Sequence, residues 1–415
     1  MMNRWNRLVP AGRLTPDALL LCFSAFFADL GYQGVTALFP LYVVFRLHAP
    51  VYWYGIITAI AFGGGAGVGY LGGLIGDRHD RKYVAIAGNI FIPLMALSGM
   101  AHSLWLSGLL FVLGWWARYF RTPVRQALLV QVTRPGERGM AFGFLHALDI
   151  AGGMISALAA LLLILFGLSV ETVMLWGVLP LVVSTALLFF VKRTTLYHEA
   201  TPLKGTGSAP QRSLADQRVL LVMLLTSATF YGFSFYNLGF PILSAAGRHG
   251  TVAGYGLGVL TYVVYLGVSA ASGYLIGAGE VAPLRSLWLL GYLPSALGSG
   301  LIGLSELLHM NAIAFYLFIA LLGLGMGGVE TLEPTLISSL VGSTRLSRGM
   351  GFLTVSRSIG QFLSNLVMGI LFSFSRSAPY FYAFASASLA TAILSVAEAR
   401  YLKGATGPAV RPPEG

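Results

Sequence analysis

Gly114-Trp-Trp-Ala-Arg118-Tyr-Phe-Arg121-Thr-Pro-Val-Arg125 sets three guanidinium groups inside a long apolar run, and His146 and Asp149 follow inside the next one. A charge at the centre of a bilayer costs about 2.5–3.5 kcal/mol even on lenient insertion scales, so such residues face protein or water rather than lipid. Spacing of i, i+3, i+7 stacks Arg118, Arg121 and Arg125 on one helix face, which therefore looks inward. These residues are the first functional candidates.

The chain around this stretch is solvated by lipid. Of 415 residues, 56% are hydrophobic and only 10% charged, with a mean hydropathy of +0.76; no soluble domain has this composition. Runs of about 20 residues cross a bilayer as helices. Twelve such spans are expected, at 17–45, 53–76, 82–103, 106–132, 139–166, 170–191, 217–244, 253–277, 285–304, 311–340, 349–373 and 379–401. The fold class is thus an all-α, multi-pass membrane protein. The first span is too long for a cleaved signal peptide and is read as retained. Cys22 is the single cysteine, so no disulfide framework or thiol metal cluster is available.

Loop charges set the orientation. Of the 26 Lys and Arg, 19 fall on one set of alternate loops and tails, and three (Arg46, Arg248, Arg376) on the other. The remaining four, Arg118, Arg121, Arg125 and Arg357, lie within spans. This bias is the positive-inside rule, and it places both termini in the cytosol. The formal charge of +11 is then a cytosolic-surface signal drawn to anionic headgroups, and nucleic acid is not needed to explain it.

The chain also repeats itself. Pro123 followed by Arg138-Gly-Met-Ala-Phe142 is echoed by Pro334 followed by Arg348-Gly-Met-Gly-Phe352, about half the chain later. Residues 192–216 form a long polar, Gly/Ser/Pro-rich interior stretch. They read as a cytosolic linker between a six-helix bundle at 1–191 and a second at 217–415. Two related bundles suit a carrier that rocks about a midplane site.

Gly73-Leu-Ile-Gly-Asp77-Arg78-His-Asp80-Arg81-Lys82, after the second span, resembles the loop signature of the major facilitator superfamily, Gly-x-x-x-Asp-Arg-x-Gly-Arg-Arg/Lys. Gly73, Asp77, Arg78, Arg81 and Lys82 match, and Asp80 replaces the second Gly. The resemblance covers the whole chain and implies two pseudo-symmetric six-helix bundles. It also implies that Asp77 meets the positive end of the eleventh helix near Gly349. Arg118 is similar to an arginine that some proton-coupled members carry in the fourth span. The antiporter pattern of the fifth span begins at Gly143 and Gly152 but reads Ser156-Ala157 where Gly-Pro is expected. Gly67-Val-Gly69-Tyr-Leu-Gly72 fits a nucleotide-binding pattern, yet it lies mid-span with no strand before it. It reads instead as part of a packing ridge from Gly65 to Gly76, like Gly323 to Gly328 on the tenth span.

Four acids oppose the four intramembrane arginines: Asp29, Asp149, Glu330 and Glu333. Two readings stand, a structural network that neutralises itself and a set in which some acids change protonation during transport. Asp29 is the first candidate proton carrier and Asp149 the second. Arg125, His146, Glu333 and Arg357 are network or gating candidates, with Arg121 or Arg125 expected to approach Glu330 or Glu333 across the two bundles, and Arg357 the rival partner of those acids. By resemblance, spans 1, 4, 7 and 10 line the cavity. Its candidates are Tyr32, Gln33, Trp115, Arg118, Arg121, Tyr231, Tyr236, Asn237 and Glu330, a set suited to amphipathic or aromatic organic molecules.

These features imply a monomeric secondary active carrier in the plasma membrane, a prokaryotic inner membrane, whose partners are the bilayer, protons and a small-molecule substrate. Proton-coupled export is the first expectation, and uptake of a small organic anion bound by Arg118 or Arg121 is the alternative. With no H-E-x-x-H, Cys/His cluster or large extramembrane domain, neither an enzyme, a metal nor a cofactor is expected.

Overall fold

The computed structural model of the chain describes residues 14–134, 137–192, 214–247, 251–278, 282–340 and 346–405. The linker candidate between the bundles lies almost wholly outside them. Thr15 opens the first helix by accepting the Ala18 N–H at 3.2 Å, and Pro16 follows at the first helical position, where its missing donor costs nothing. The chain then runs as long helices: α1 (Pro16–Arg46), α2 (Val51–Arg78), α3 (Arg81–Met100), α4 (Leu104–Val132), α5 (Arg138–Leu165) and α6 (Val170–Phe190). After the linker come α7 (Arg218–Ala246), α8 (Val252–Ala278), α9 (Pro283–Leu308), α10 (Ala312–Leu340), α11 (Leu346–Phe374) and α12 (Ala378–Ala405).

No strand occurs among the described residues. Eleven of the helices, among the described residues, are long and apolar enough to cross a membrane. The other, α4, has the length at 29 residues, but its three arginines lower its hydropathy. Large apolar side chains cover the outside of the helices, among them Trp105, Phe166, Leu317 and Phe374; a lipid solvent accepts such a surface, and water would not.

Helix pairing repeats. Within the first six helices α1 packs on α5 and α6, and α4 on α2 and α3. Within the last six, α7 packs on α11 and α12, and α10 on α8 and α9. Each pair recurs six helices later. Pro123 and Pro334 sit inside the corresponding helices α4 and α10, and the two Arg-Gly-Met repeats fall on the first turns of α5 and α11. The side chains of Arg138 and Arg348 lie outside the described residues, as do the surroundings of Gly349.

The two groups of six meet along two seams, α5 against α8 and α2 against α11, with α1 against α7 between them. Contacts concentrate at the end away from the termini. There Phe45 faces Tyr255 with ring centroids 5.8 Å apart, Tyr54 donates its hydroxyl to Asn237 Oδ1, and a Cβ on Gly55 would lie 2.7 Å from the Gly369 Cα. At the terminal end the ties among the first six helices stay within that group. Thr15 Oγ1 donates to the Val132 carbonyl at 2.7 Å, and Lys82 Nζ to the Phe189 carbonyl at 2.8 Å.

Lipid gives no hydrophobic drive between helices, so close packing of small residues does that work. Gly65, Gly72 and Gly76 of α2 press on Tyr119, Phe120 and Val124 of α4; a Cβ on Gly76 would stand 2.8 Å from Val124 Cγ2. On α10, Gly323 approaches the Tyr265 carbonyl of α8 in the same way, a Cβ there falling 2.8 Å away. Of the glycine run that mimics a nucleotide-binding pattern, Gly69 and Gly72 belong to this packing ridge and Gly67 faces open space.

Two boundaries differ from expectation. α9 runs on to Leu308, which brings Glu306 inside the helix. α7 breaks at 235–237, because Pro241 has no N–H for the Asn237 carbonyl. Asn237 Oδ1 instead accepts the Gly239 N–H at 2.9 Å, while Asn365 Oδ1 accepts the Asn237 N–H at 2.9 Å. We expect Gly72→Ala, whose Cβ collides with the Phe120 carbonyl oxygen, to destabilise the protein by about 1–3 kcal/mol, the usual cost of overpacking. Gly67→Ala, with nothing within 4 Å, should leave the melting temperature in detergent unchanged.

Candidate functional site

The arginine face of α4 sends its three side chains to three different partners. Arg118 Nε donates to the Tyr32 hydroxyl of α1 at 2.7 Å. Its guanidinium carbon lies 5.1, 5.0 and 5.8 Å from the ring centroids of Tyr32, Trp115 and Tyr119. Three electron-rich faces around one cation replace part of the hydration it has lost. Arg121, 1% exposed, turns back into the first six helices and donates to Asn89 Oδ1 of α3 at 2.5 Å. Asn89 in turn donates to Thr185 Oγ1 of α6 at 2.7 Å. Arg125 reaches Asp149 of α5 at 3.4 Å, the counter-ion expected for that acid.

Asp29 is the centre of the arrangement. It is 4% exposed, and its Oδ1 accepts two donors from one turn further along α1, the Tyr32 hydroxyl and Gln33 Nε2 at 3.1 Å. The i, i+3, i+4 spacing of Asp29, Tyr32 and Gln33 places all three on one face. Arg118 is therefore linked to Asp29 through the Tyr32 oxygen rather than by a direct ion pair. Such a carboxylate, buried yet held by hydrogen bonds to a group that senses a nearby cation, is able to exist in either protonation state. Ser24 takes no part: it donates to the Ser184 carbonyl of α6 at 2.9 Å.

In the last six helices the charges close on themselves. Arg357 of α11 binds Glu333 at 2.7 Å through Nε and Glu330 at 2.9 Å through Nη1. Glu333 is fully buried and also accepts the Tyr292 hydroxyl at 2.5 Å, whereas the Glu330 side chain is 46% exposed. In this structure neither acid pairs with Arg121 or Arg125, and Arg357 holds both. His146 is exposed.

Several cavity candidates are buried in helix packing. Trp115 lies between Phe111 and Phe62, with centroids 6.2 and 4.3 Å away. Tyr231 and Tyr236 meet Ser295 and Ser299 of α9 at 3.0 and 3.2 Å, around a cavity of about 20 Å³. Asn237 is 9% exposed and belongs to the closed end. Arg81 of the loop motif pairs with Asp77 at 2.9 Å, and Asp80 caps α3 by accepting the Lys82 N–H at 2.9 Å, which gives the residue in place of the family's second Gly a structural task. Gly73 faces Pro123 at van der Waals distance, and Arg78 is exposed.

Four residues escaped the sequence reading. Asn89, Tyr262 and Tyr292 carry no charge to mark them, and their partners are remote in the chain. Glu306 stands in a cavity of about 270 Å³ with Ser244, His309 and Tyr316, at the end away from the termini.

Residues 21–281 match the sequence profile of the Major Facilitator Superfamily. The chain belongs to that superfamily. It is a multi-pass membrane transporter, not an enzyme. The chain is 28% identical over 339 residues to the multidrug resistance protein MdtH of Proteus mirabilis, covering 79% of this chain and 80% of the relative. Against MdtH of Photorhabdus laumondii the match is 33% identical over 146 residues, 33% of this chain and 35% of that one. Among solved structures, a D-xylose-proton symporter superposes with a TM-score of 0.69 at 12% identity, over 91% of this chain and 96% of the other. An inward-facing bacterial homologue of the lysosomal transporter Spinster gives 0.64 at 14%, over 95% and 100%. At these identities the likeness is one of fold.

Removing one member of a buried ion pair strands the other in low dielectric, at about 3–5 kcal/mol. Arg357→Met should lower the melting temperature in detergent sharply, and adding Glu333→Gln should recover most of the loss. Equal melting of the single and double variants would show that Arg357 does not stabilise Glu333.

Proposed function

We propose that the chain is a proton-coupled exporter of small amphipathic or aromatic organic compounds, working as a monomer in the bacterial inner membrane. It spans the membrane twelve times, with α4 as the fourth span. Residues 1–191 and 217–415 form two rigid halves joined by a cytosolic linker at 192–216, and both termini are cytosolic. Recurrence of helix pairing six helices later and the positive-inside bias support this arrangement. With that orientation, the halves touch at the outer end and the site is reached from the cytosol.

The observation that carries the reading is Asp29: a carboxylate 4% exposed, on the helix between the two seams, hydrogen-bonded to a tyrosine that an arginine also binds. Alternating access exposes such a group to each side in turn, so it can take a proton outside and release it inside. Relatives that bear the name multidrug resistance protein support export. For the substrate, the half-exposed Glu330 and the ring of Tyr119 offer an acidic, aromatic wall. Uptake of an organic anion is the weaker reading, because Arg118 is enclosed by three rings and Arg121 is buried on Asn89.

Proteoliposomes carrying an imposed pH gradient test the function. Accumulation of amphipathic compounds should follow the gradient, while Asp29→Asn should abolish gradient-driven accumulation yet keep substrate exchange, since an amide keeps the shape but cannot titrate. Full active transport by that variant would move the proton site elsewhere, with Asp149→Asn the next test. Proton-independent accumulation of an anion would replace the proposal by the uptake reading.

A further inference from the structure

Gln33 is the one side chain of the Asp29 cluster with both of its polar ends committed, and they are committed to different halves of the molecule. Nε2 donates to Asp29 Oδ1 on its own helix at 3.1 Å. Oε1 accepts the hydroxyl of Tyr262, on α8, at 2.5 Å. Tyr262 is 7% exposed and lies about 15 Å along α8 from Val252, counting 1.5 Å per residue. A continuous set of hydrogen bonds therefore runs from Arg118 on α4 through Tyr32, Asp29 and Gln33 on α1 to Tyr262 on α8.

We propose that Gln33 and Tyr262 are positioning residues that pass the ionisation of Asp29 on to the seam between the halves. The proposal rests on Asp29 as the group that binds the transported proton. An ionised carboxylate only accepts hydrogen bonds, so it holds the amide with Nε2 toward itself and leaves Oε1 for the Tyr262 hydroxyl. A protonated Asp29 is a donor as well as an acceptor, and beside the Tyr32 oxygen, which already accepts Arg118 Nε, the acceptor its proton can reach is Gln33 Oε1. The Gln33 carbonyl then turns from Tyr262 to Asp29, Nε2 turns toward the Tyr262 oxygen in its place, and the buried Tyr262 O–H loses the acceptor it has at the seam. The empty, ionised carrier is thus latched shut on the outer side. It cannot return outward without either a proton or a substrate able to break the latch, which suppresses uncoupled cycling.

Other groups face Asp29. Tyr32 lies on α1; Arg118, Arg121 and Arg125 on α4; Asp149 on α5, with His146 a turn before it; and Tyr262 on α8. α6 packs on this part of α1 through Leu181 at Gly31 and brings no charge there. A pH response of the seam must therefore be assigned by substitution.

The test is the labelling rate of Leu161→Cys, on α5 beside Gly256 of α8, by an impermeant maleimide added from the outer side without substrate; the natural Cys22 is fully buried. Because the thiolate is the reacting form, each rate is divided by that of the same cysteine in the unfolded protein at the same pH; in the otherwise unchanged protein this ratio should rise by about fivefold as pH falls, the equilibrium equivalent of one net hydrogen bond. Tyr262→Phe, which loses only the hydroxyl, should label fast at high pH and show no pH response, and Gln33→Met should do the same. Tyr262→Phe with the full pH response overturns the latch. Asp29→Asn with the full response, or Asp149→Asn without it, instead removes Asp29 as the titrating group, so the two failures are distinct.

Discussion

An ionised group in hydrocarbon has to find its partner inside the protein, and the four arginines within the helices, Arg118, Arg121, Arg125 and Arg357, obey that constraint. Each half settles its own account. Arg125 meets Asp149, Arg118 reaches Asp29 through a tyrosine, and Arg357 holds two glutamates alone. Because none of these ties crosses between the halves, neither half loses a buried ion pair when the two move apart. What crosses is neutral: Tyr54 to Asn237 and Tyr262 to Gln33. Contacts of that kind cost about 1 kcal/mol to exchange for water, against several for a buried pair. The division suits a machine that must break one set of contacts in every cycle and keep the other.

The same economy governs packing. With no gain from burying apolar surface against apolar lipid, helices adhere where small residues let backbones approach. Glycines on α2 facing α4, and on α10 facing α8, carry much of this close approach, in corresponding helix pairs of the two groups of six but on opposite members of the pair. Aromatic stacking fills the wider gaps, as between Phe39 and Phe111, 3.9 Å apart.

Helices, their order and the internal repeat were legible because lipid imposes length and apolarity on every span. The helical face of Arg118, Arg121 and Arg125 was legible too, but periodicity names a face and not a partner. Three residues sharing that face reach α1, α3 and α5, since the long guanidinium stems diverge after leaving the helix. Asp29 stood out as a charge with two polar neighbours at helical spacing. Tyr262 and Asn89 did not, because an uncharged residue is ordinary until the fold brings its partner close, and Tyr262 lies 229 residues from Gln33. Trp115, Tyr231 and Tyr236 show how two readings of one ring compete. Aromatic size suggests a ligand surface, yet the same size makes these rings the natural filling between helices.

The two seams differ in kind. Along α5 and α8 the halves are joined by side chains, which can change rotamer. Where α2 meets α11, Gly55 and Gly369 bring main chain against main chain, with no side chain between to yield. Two rods in such contact cannot be pressed closer, but they can roll over one another at that point. The Gly55–Gly369 crossing is placed to act as a fulcrum: with a fixed bearing near the end away from the termini, a small rotation there becomes a large displacement at the opposite tips, some 30 Å away along helices of about 20 residues.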